Sequence, residues 1–220
     1  MWIADSLGFM EIAEGMAGDP EFCSMIDRLR EEGVASAGAE NGGGALPAVF
    51  AEVVRTPDPE ELHRLLTAPG QPLWAREIAA YRLGVTGDRR AFEALVLLLN
   101  HRDPERCVSA AHALRRLGDP RTARAAAALA TNELRAAYAL LPVRLLTDLR
   151  APESAPALIT VLERRLAAGD PHWRVGLACA EGLGALGDPS ARGVLEAALP
   201  HPRLGRAAER SLTLLGGPDL

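Results

Sequence analysis

Six Asp-Pro dipeptides punctuate this chain, at Asp19-Pro20, Asp58-Pro59, Asp103-Pro104, Asp119-Pro120, Asp170-Pro171 and Asp188-Pro189, and each opens an apolar run rich in Ala and Leu. An aspartate carboxylate accepts hydrogen bonds from the unsatisfied N–H groups of a helix's first turn. The proline that follows needs no N–H there and already holds a helical φ. Two of the pairs, and one variant, also follow a glycine: Gly118-Asp119-Pro120, Gly187-Asp188-Pro189 and Gly87-Asp88-Arg89. Glycine enters the left-handed conformation that terminates a helix at little cost. One tripeptide therefore ends one helix and starts the next, and a chain punctuated this way is expected to fold as a series of helical hairpins. Composition points the same way. Aromatics are 4% of the residues and hydrophobic residues 48%, so Ala and Leu carry the apolar content. Small side chains let helices pack closely, whereas a sandwich or barrel draws on β-branched and aromatic residues. An all-α fold is expected.

Aligning the helix-ending turns places Asp88, Asp119, Ala151 and Asp188 in one column, with spacings of 31, 32 and 37 residues. Five residues before the anchor stand Leu83, Leu114, Leu146 and Leu183; eight before stand Ala80, Ala111, Val143 and Ala180. Seven after come Leu95, Ala126, Leu158 and Leu195, and ten after come Leu98, Leu129, Val161 and Ala198. These columns pair at helical i,i+3 steps, so each half-repeat presents an apolar stripe. A single hairpin cannot bury such a stripe; stacked neighbours can.

The stretch "AAHALRRLGDPRTARAAAAL" and its echo "ACAEGLGALGDPSARGVLEAAL" resemble HEAT-like repeats, in particular the short class of the phycobilisome lyases, over roughly residues 72–216. The resemblance implies a right-handed α-solenoid of helical hairpins, here with extra N-terminal helices. The third repeat departs from the pattern: Arg150-Ala151-Pro152-Glu153 replaces Gly-Asp-Pro, and Pro142 falls within its first helix. An interior proline removes a backbone bond and clashes with the preceding turn, so a kink is expected near residues 138–142. Pro202 to Leu215 reads as a final helix closing the stack.

Residues 1–70 do not align. They divide into a helical arm with a glycine-rich connection (1–45) and a degenerate capping helix pair (46–71), ahead of the repeat array (72–220) of about four hairpins and a C-terminal helix. Ile12 to Ala17 and Phe22 to Leu29 read as short helices. Gly33 to Ala45, with Gly42-Gly43-Gly44, is too poor in apolar residues to order itself. Leu46 to Val54 and Pro59 to Leu66 form another helical pair. This leading segment is either a terminal cap or a partner-binding arm. It carries a net charge of −9, against +4 for the remainder.

All 24 basic residues are arginine, which excludes lysine Schiff-base chemistry. Cys23, Cys107 and Cys179 are widely separated with no CxxC, arguing for a reducing compartment and against a disulfide framework or zinc site. The apolar N-terminus holds Asp5, Glu11 and Glu14 without a basic flank, a poor match to a signal peptide or a membrane span. A cytoplasmic protein without a membrane association is expected.

No P-loop, GxGxxG, HExxH or GxSxG motif is present. The five histidines are followed by Arg, Arg, Ala, Trp and Pro, so the His-Glu pairs of di-iron HEAT-like enzymes are missing. No catalytic residue, metal or cofactor is assigned. His101, His172 and His201 read as solvated helix termini or links. Candidate partner-binding residues are Arg121, Arg124, Arg164, Arg165 and Arg192 on second helices, which in HEAT-like arrays line the concave face, with Trp74, His172 and Trp173 at the starts of leading helices.

Three functions of different classes follow. The first is a non-enzymatic scaffold or adaptor binding a protein or peptide on its concave, Arg-bearing face. The second is a lyase-like helper or unconventional enzyme holding a small-molecule ligand in the groove, by analogy with the phycobilisome lyases; its acid–base candidates would lie near His172, Trp173 and Glu181. The third is nucleic-acid binding, as in HEAT-like alkylpurine glycosylases, which a net acidic chain disfavours.

Overall fold

The computed structural model describes residues 18–40 and 48–216, and all regular structure among them is helical. Helix α1 spans Pro20–Glu40, α2 Ala48–Arg55, α3 Pro59–Thr67 and α4 Leu73–Val85. After a 3₁₀ turn at Arg89–Ala91 come α5 (Phe92–Leu99), α6 (Pro104–Leu117) and α7 (Arg121–Ala130). A 3₁₀ segment, Glu133–Tyr138, precedes α8 (Leu140–Leu149), α9 (Ser154–Arg164) and α10 (Trp173–Leu186). Another 3₁₀ turn, Pro189–Ala191, leads to α11 (Arg192–Ala198) and α12 (Gly205–Leu215). No helix among the described residues is long and apolar enough to cross a membrane.

The Asp-Pro punctuation works as its chemistry requires. In all six pairs the Asp side chain accepts a hydrogen bond from the N–H two residues on: Glu21, Glu60, Glu105, Arg121, His172 and Ser190. Each such cap contributes about 1 kcal/mol. Gly87, Gly118 and Gly187 have φ of 85°, 62° and 72°, the left-handed geometry expected of them. At the aberrant third turn Arg150 takes that role at φ 49°, the one non-glycine residue with positive φ among those described. Ser154 substitutes for the missing Asp there: its buried hydroxyl accepts from Ala151 N–H and donates to Leu146 O.

The aligned columns are the core. In the four apolar columns only Ala111 and Leu129 stay partly exposed, and the rest are buried, among them Leu83, Leu114, Leu146 and Leu183 at 0%. Full burial of one leucine side chain is worth about 1.5–3 kcal/mol before entropy is counted.

The chain divides into two compact units, Met1–Leu98 with Val108–Leu117, and Leu99–Cys107 with Gly118–Leu220. In the first, α4 is the central helix, packed against α2 and α3. Its Gly84 lets α5 and α6 approach, since a Cβ there would sit 2.7 Å from Leu95 Cδ1 and 3.1 Å from Ala113 Cβ. Helix α1 joins α4 through the Phe22–Tyr81 ring contact (5.7 Å) and a buried Arg28–Glu77 ion pair.

In the second unit the helices form two layers. Helices α8, α10 and α12 adjoin in order, as do α7, α9 and α11. Glycines on α10 set the close spacing: Gly182 faces Thr147 of α8, and Gly184 faces Ser211 of α12. Ser211 Oγ donates to Ala180 O at 2.8 Å across that contact. Carbonyls at or just past the ends of the second helices α5, α7 and α9 are satisfied from one repeat further on. Arg135 donates to Asn100 O, Arg164 to Thr131 O, and His201 meets Ala167 O, across 35, 33 and 34 residues. A cation at a helix C-terminus also complements the helix dipole.

Two expectations change. Gly33 to Glu40, read as the start of a flexible connection, continues α1; Asn41 to Ala45 lie outside the described residues, as does the expected helix at Ile12 to Ala17. Pro142 does not kink a helix interior. The chain breaks before it, with Arg135 at a non-helical φ of −126° inside the 3₁₀ segment, and α8 starts at Leu140. Pro142 thus falls in a first turn, where its missing N–H costs nothing.

Candidate functional site

The second-helix arginines do not form one exposed ladder. Arg121 folds back on Asp119, its Nε and Nη2 each donating at 3.0 Å to a different carboxylate oxygen, while its own N–H bonds the same carboxylate. Arg164 is exposed but committed to Thr131 O (2.8 Å) and Glu133 (2.9 Å). Arg165 lies past the end of α9 and is buried, clamped between Asp170 (3.0 Å) and Glu133 (2.9 Å). Limited desolvation pushes the Glu133 carboxyl upward, but hydrogen bonds and charge from Arg165 and Arg164 prevail and hold it below its ordinary value. Arg124 on α7 and Arg192 on α11 are exposed and make no ion pair among the described residues. Exposed Glu163 and Glu196 interrupt the positive charge of that layer.

The tryptophans separate. Trp74 belongs to the first unit and packs on Phe50, ring centroids 5.3 Å apart, joining α2 to α4. Trp173 opens α10 in the second unit and gathers cations instead: Arg174 Cζ lies 4.6 Å and Arg203 Cζ 4.8 Å from its ring centroid. On either side of Arg203 in the chain, Leu199, Pro200, His201, Pro202, Gly205, Arg206 and Glu209 line an open depression. His172 N–H bonds Asp170 Oδ1, its ring half-buried. Glu181 is exposed, 3.5 Å from Arg210, and sits eight positions along α10 from Trp173, about 12 Å away by helical rise. The acid–base candidates are therefore not brought together.

His201 is structural rather than a solvated terminus. It is 6% exposed, and its Nδ1 accepts from the N–H groups of Arg203 (3.1 Å) and Leu204 (3.2 Å). The proton then sits on Nε2, 3.3 Å from Ala167 O. His101 likewise accepts from Asp103 N–H. Cys107 and Cys179 are buried, and burial pushes both thiols above their ordinary value, which withholds the nucleophilic thiolate.

One polar cluster in the first unit escaped sequence reasoning. Tyr81 OH donates to Asp19 Oδ2 at 3.0 Å, and the His112 ring stacks on Tyr81 at 5.9 Å and 10°. His112 Nε2 stands 3.6 Å from the same carboxylate oxygen and has no hydrogen-bond partner. Burial and then the Asp19 bond push the Tyr81 phenol far above its ordinary value, so it remains a donor. A signal existed: Tyr81 and His112 both lie seven residues before their anchors, in equivalent places on successive repeats. Asp19 comes from outside the array, so no periodicity could supply the third member. The cluster fastens the start of α1 to α4 and α6.

Among the described residues no group of three or more His, Cys, Asp or Glu side chains is arranged to hold a metal ion. No protein-family model matches the sequence, and no curated protein matches it either.

Proposed function

We propose that the hairpins of the second unit form a right-handed, HEAT-like α-solenoid that serves as a non-enzymatic scaffold for a protein or peptide partner. The observation that carries this reading is the two-layer order in which α8–α10–α12 and α7–α9–α11 follow one another, each turn built from the same Gly-Asp or Arg-Ser device. Such an array presents long rows of side chains held at fixed spacing, a geometry suited to extended polypeptide. The chemistry of its polar groups supports the same reading. Arg164, Arg165, Asp170 and His201 are spent on joining repeats, and the two cysteines of this unit are buried.

The test is affinity capture with the wild-type chain beside an Arg121→Glu, Arg124→Glu, Arg192→Glu variant whose helicity is checked by circular dichroism. A partner retained by the wild type and lost by the variant is expected. Equal capture by both would move binding off the second-helix layer. No protein partner, together with turnover of a small molecule by the purified chain, would overturn the scaffold reading.

A further inference from the structure

The arginines of the second unit fall into two populations. Arg106, Arg121, Arg164, Arg165 and Arg210 face carboxylates, and Arg135 donates to a helix-end carbonyl. Arg102, Arg124, Arg144, Arg150, Arg174, Arg192, Arg203 and Arg206 do neither: all eight are exposed and make no ion pair among the described residues. Of these, Arg174 and Arg203 stack on the half-buried Trp173, and Arg206 lines the depression that Pro202, the chain neighbour of Arg203, also lines.

The place is rigid beneath. His201 holds the backbone of Arg203 and Leu204 through Nδ1 and accepts Gly205 N–H on its own carbonyl. Gly205 passes so close to Leu199 O that a Cβ could not be inserted without shifting backbone. A guanidinium stacked on an indole keeps its N–H edge free for bidentate contact with a carboxylate, and the stacking restrains it in advance. Trp and Arg together are also the side chains most often found to dominate binding surfaces. Around the cations, Pro200 and Pro202 and the 44%-exposed Leu199 supply an apolar margin.

We propose that this patch, Trp173 with Arg174, Arg203 and Arg206, docks an acidic peptide segment in which carboxylates alternate with apolar side chains. The inference rests on the scaffold reading and assigns it a partner chemistry and a second surface, separate from Arg124 and Arg192. Charge complementarity selects the carboxylates, and Leu199 with the two prolines selects their apolar neighbours. A nucleic-acid strand fits less well, because only one aromatic ring among the described residues of the patch, Trp173, is offered for stacking.

The test uses the full chain and fluorescence anisotropy of a labelled peptide alternating Glu with Leu, at low and at high salt. Its controls are the same peptide with Lys in place of Glu and a single-stranded oligothymidine. Binding of the Glu peptide alone is expected, weakened at least tenfold by Arg174→Glu with Arg203→Glu and by high salt, and unchanged by Arg144→Glu, an exposed arginine of α8; an Arg124→Glu, Arg192→Glu variant is measured alongside. Replacing the Glu residues by phosphoserine shows whether carboxylate or phosphate is preferred; a preference for phosphate overturns the carboxylate assignment. No binding, equal binding of the Lys peptide or oligothymidine, or full binding by the Arg174/Arg203 variant overturns the patch. Loss only in the Arg124/Arg192 variant overturns the patch while leaving the scaffold reading intact.

Discussion

The Arg28–Glu77 pair offers the sharpest test of what holds α1 to the first unit. Glu77 is 1% exposed and Arg28 11% exposed by side chain, with Glu32 and Ser109 Oγ (3.5 Å) also nearby. Replacing Arg28 by Met keeps most of the apolar stem and removes the charge that α1 brings to the buried Glu77 carboxylate. Breaking one side of a buried pair costs about 3–5 kcal/mol. Here the lower end applies, because Arg28 retains some solvent and Ser109 remains. Replacing both residues by Met removes the carboxylate together with its α1 cation and should recover part of the loss. Urea unfolding of the wild type, the two single variants and the double variant gives the coupling directly. With about 3 kcal/mol lost, the single Arg28→Met variant should also melt at least about 6 °C lower. Limited proteolysis should then cut α1 first, since the pair joins that helix to α4. Additive effects in the cycle, or a cost below about 1 kcal/mol for Arg28→Met, would refute the buried-pair account.

Arg150→Gly should stabilise the chain by about 0.5–1 kcal/mol in urea unfolding, because a left-handed φ of 49° is strained for arginine and not for glycine. Gly184→Ala should destabilise by about 1–3 kcal/mol, since the new Cβ would lie 2.8 Å from Ser211 Cα. Adding Ser211→Ala should not rescue it, because the obstruction includes backbone. Glu133 has a folded-state carboxyl held below its ordinary 4.5, so its stabilising effect is complete at neutral pH and fades as pH falls below that value. The unfolding midpoints of wild type and Glu133→Gln should accordingly differ most near pH 7 and converge in acid; a gap that widens in acid would contradict the assignment.

What the sequence made legible was everything carried by local chemistry. Gly87, Gly118, Gly187 and the six Asp caps each need only their immediate neighbours, and the Leu83, Leu114, Leu146 and Leu183 column follows from helical period. Pro142 misled because the same residue breaks a helix interior and favours a first turn, and only the position of Leu140 decides between them. The arginines misled for a different reason. Placing Arg121, Arg164 and Arg165 on second helices said nothing of the carboxylates and carbonyls they would meet, which come from residues two to 33 positions away. The Trp173 site was half-visible: Trp173 and His172 stood out, whereas Arg203 arrives from the next hairpin.

The capping of one helix end by a donor a repeat later has a consequence for synthesis and for truncation. While the chain emerges, the end of α7 must wait for Arg164, and Ala167 in the loop after α9 must wait for His201, so each hairpin is finished about one repeat behind its own translation. A fragment cut neatly at a turn therefore carries an unfinished edge, whereas one extended to the donor closes it. A fragment ending just after Leu204 should resist fraying at Ala167 better than one ending at Gly187, which places the natural seams of this unit inside the following hairpin rather than at the Gly-Asp-Pro turns that first announce them.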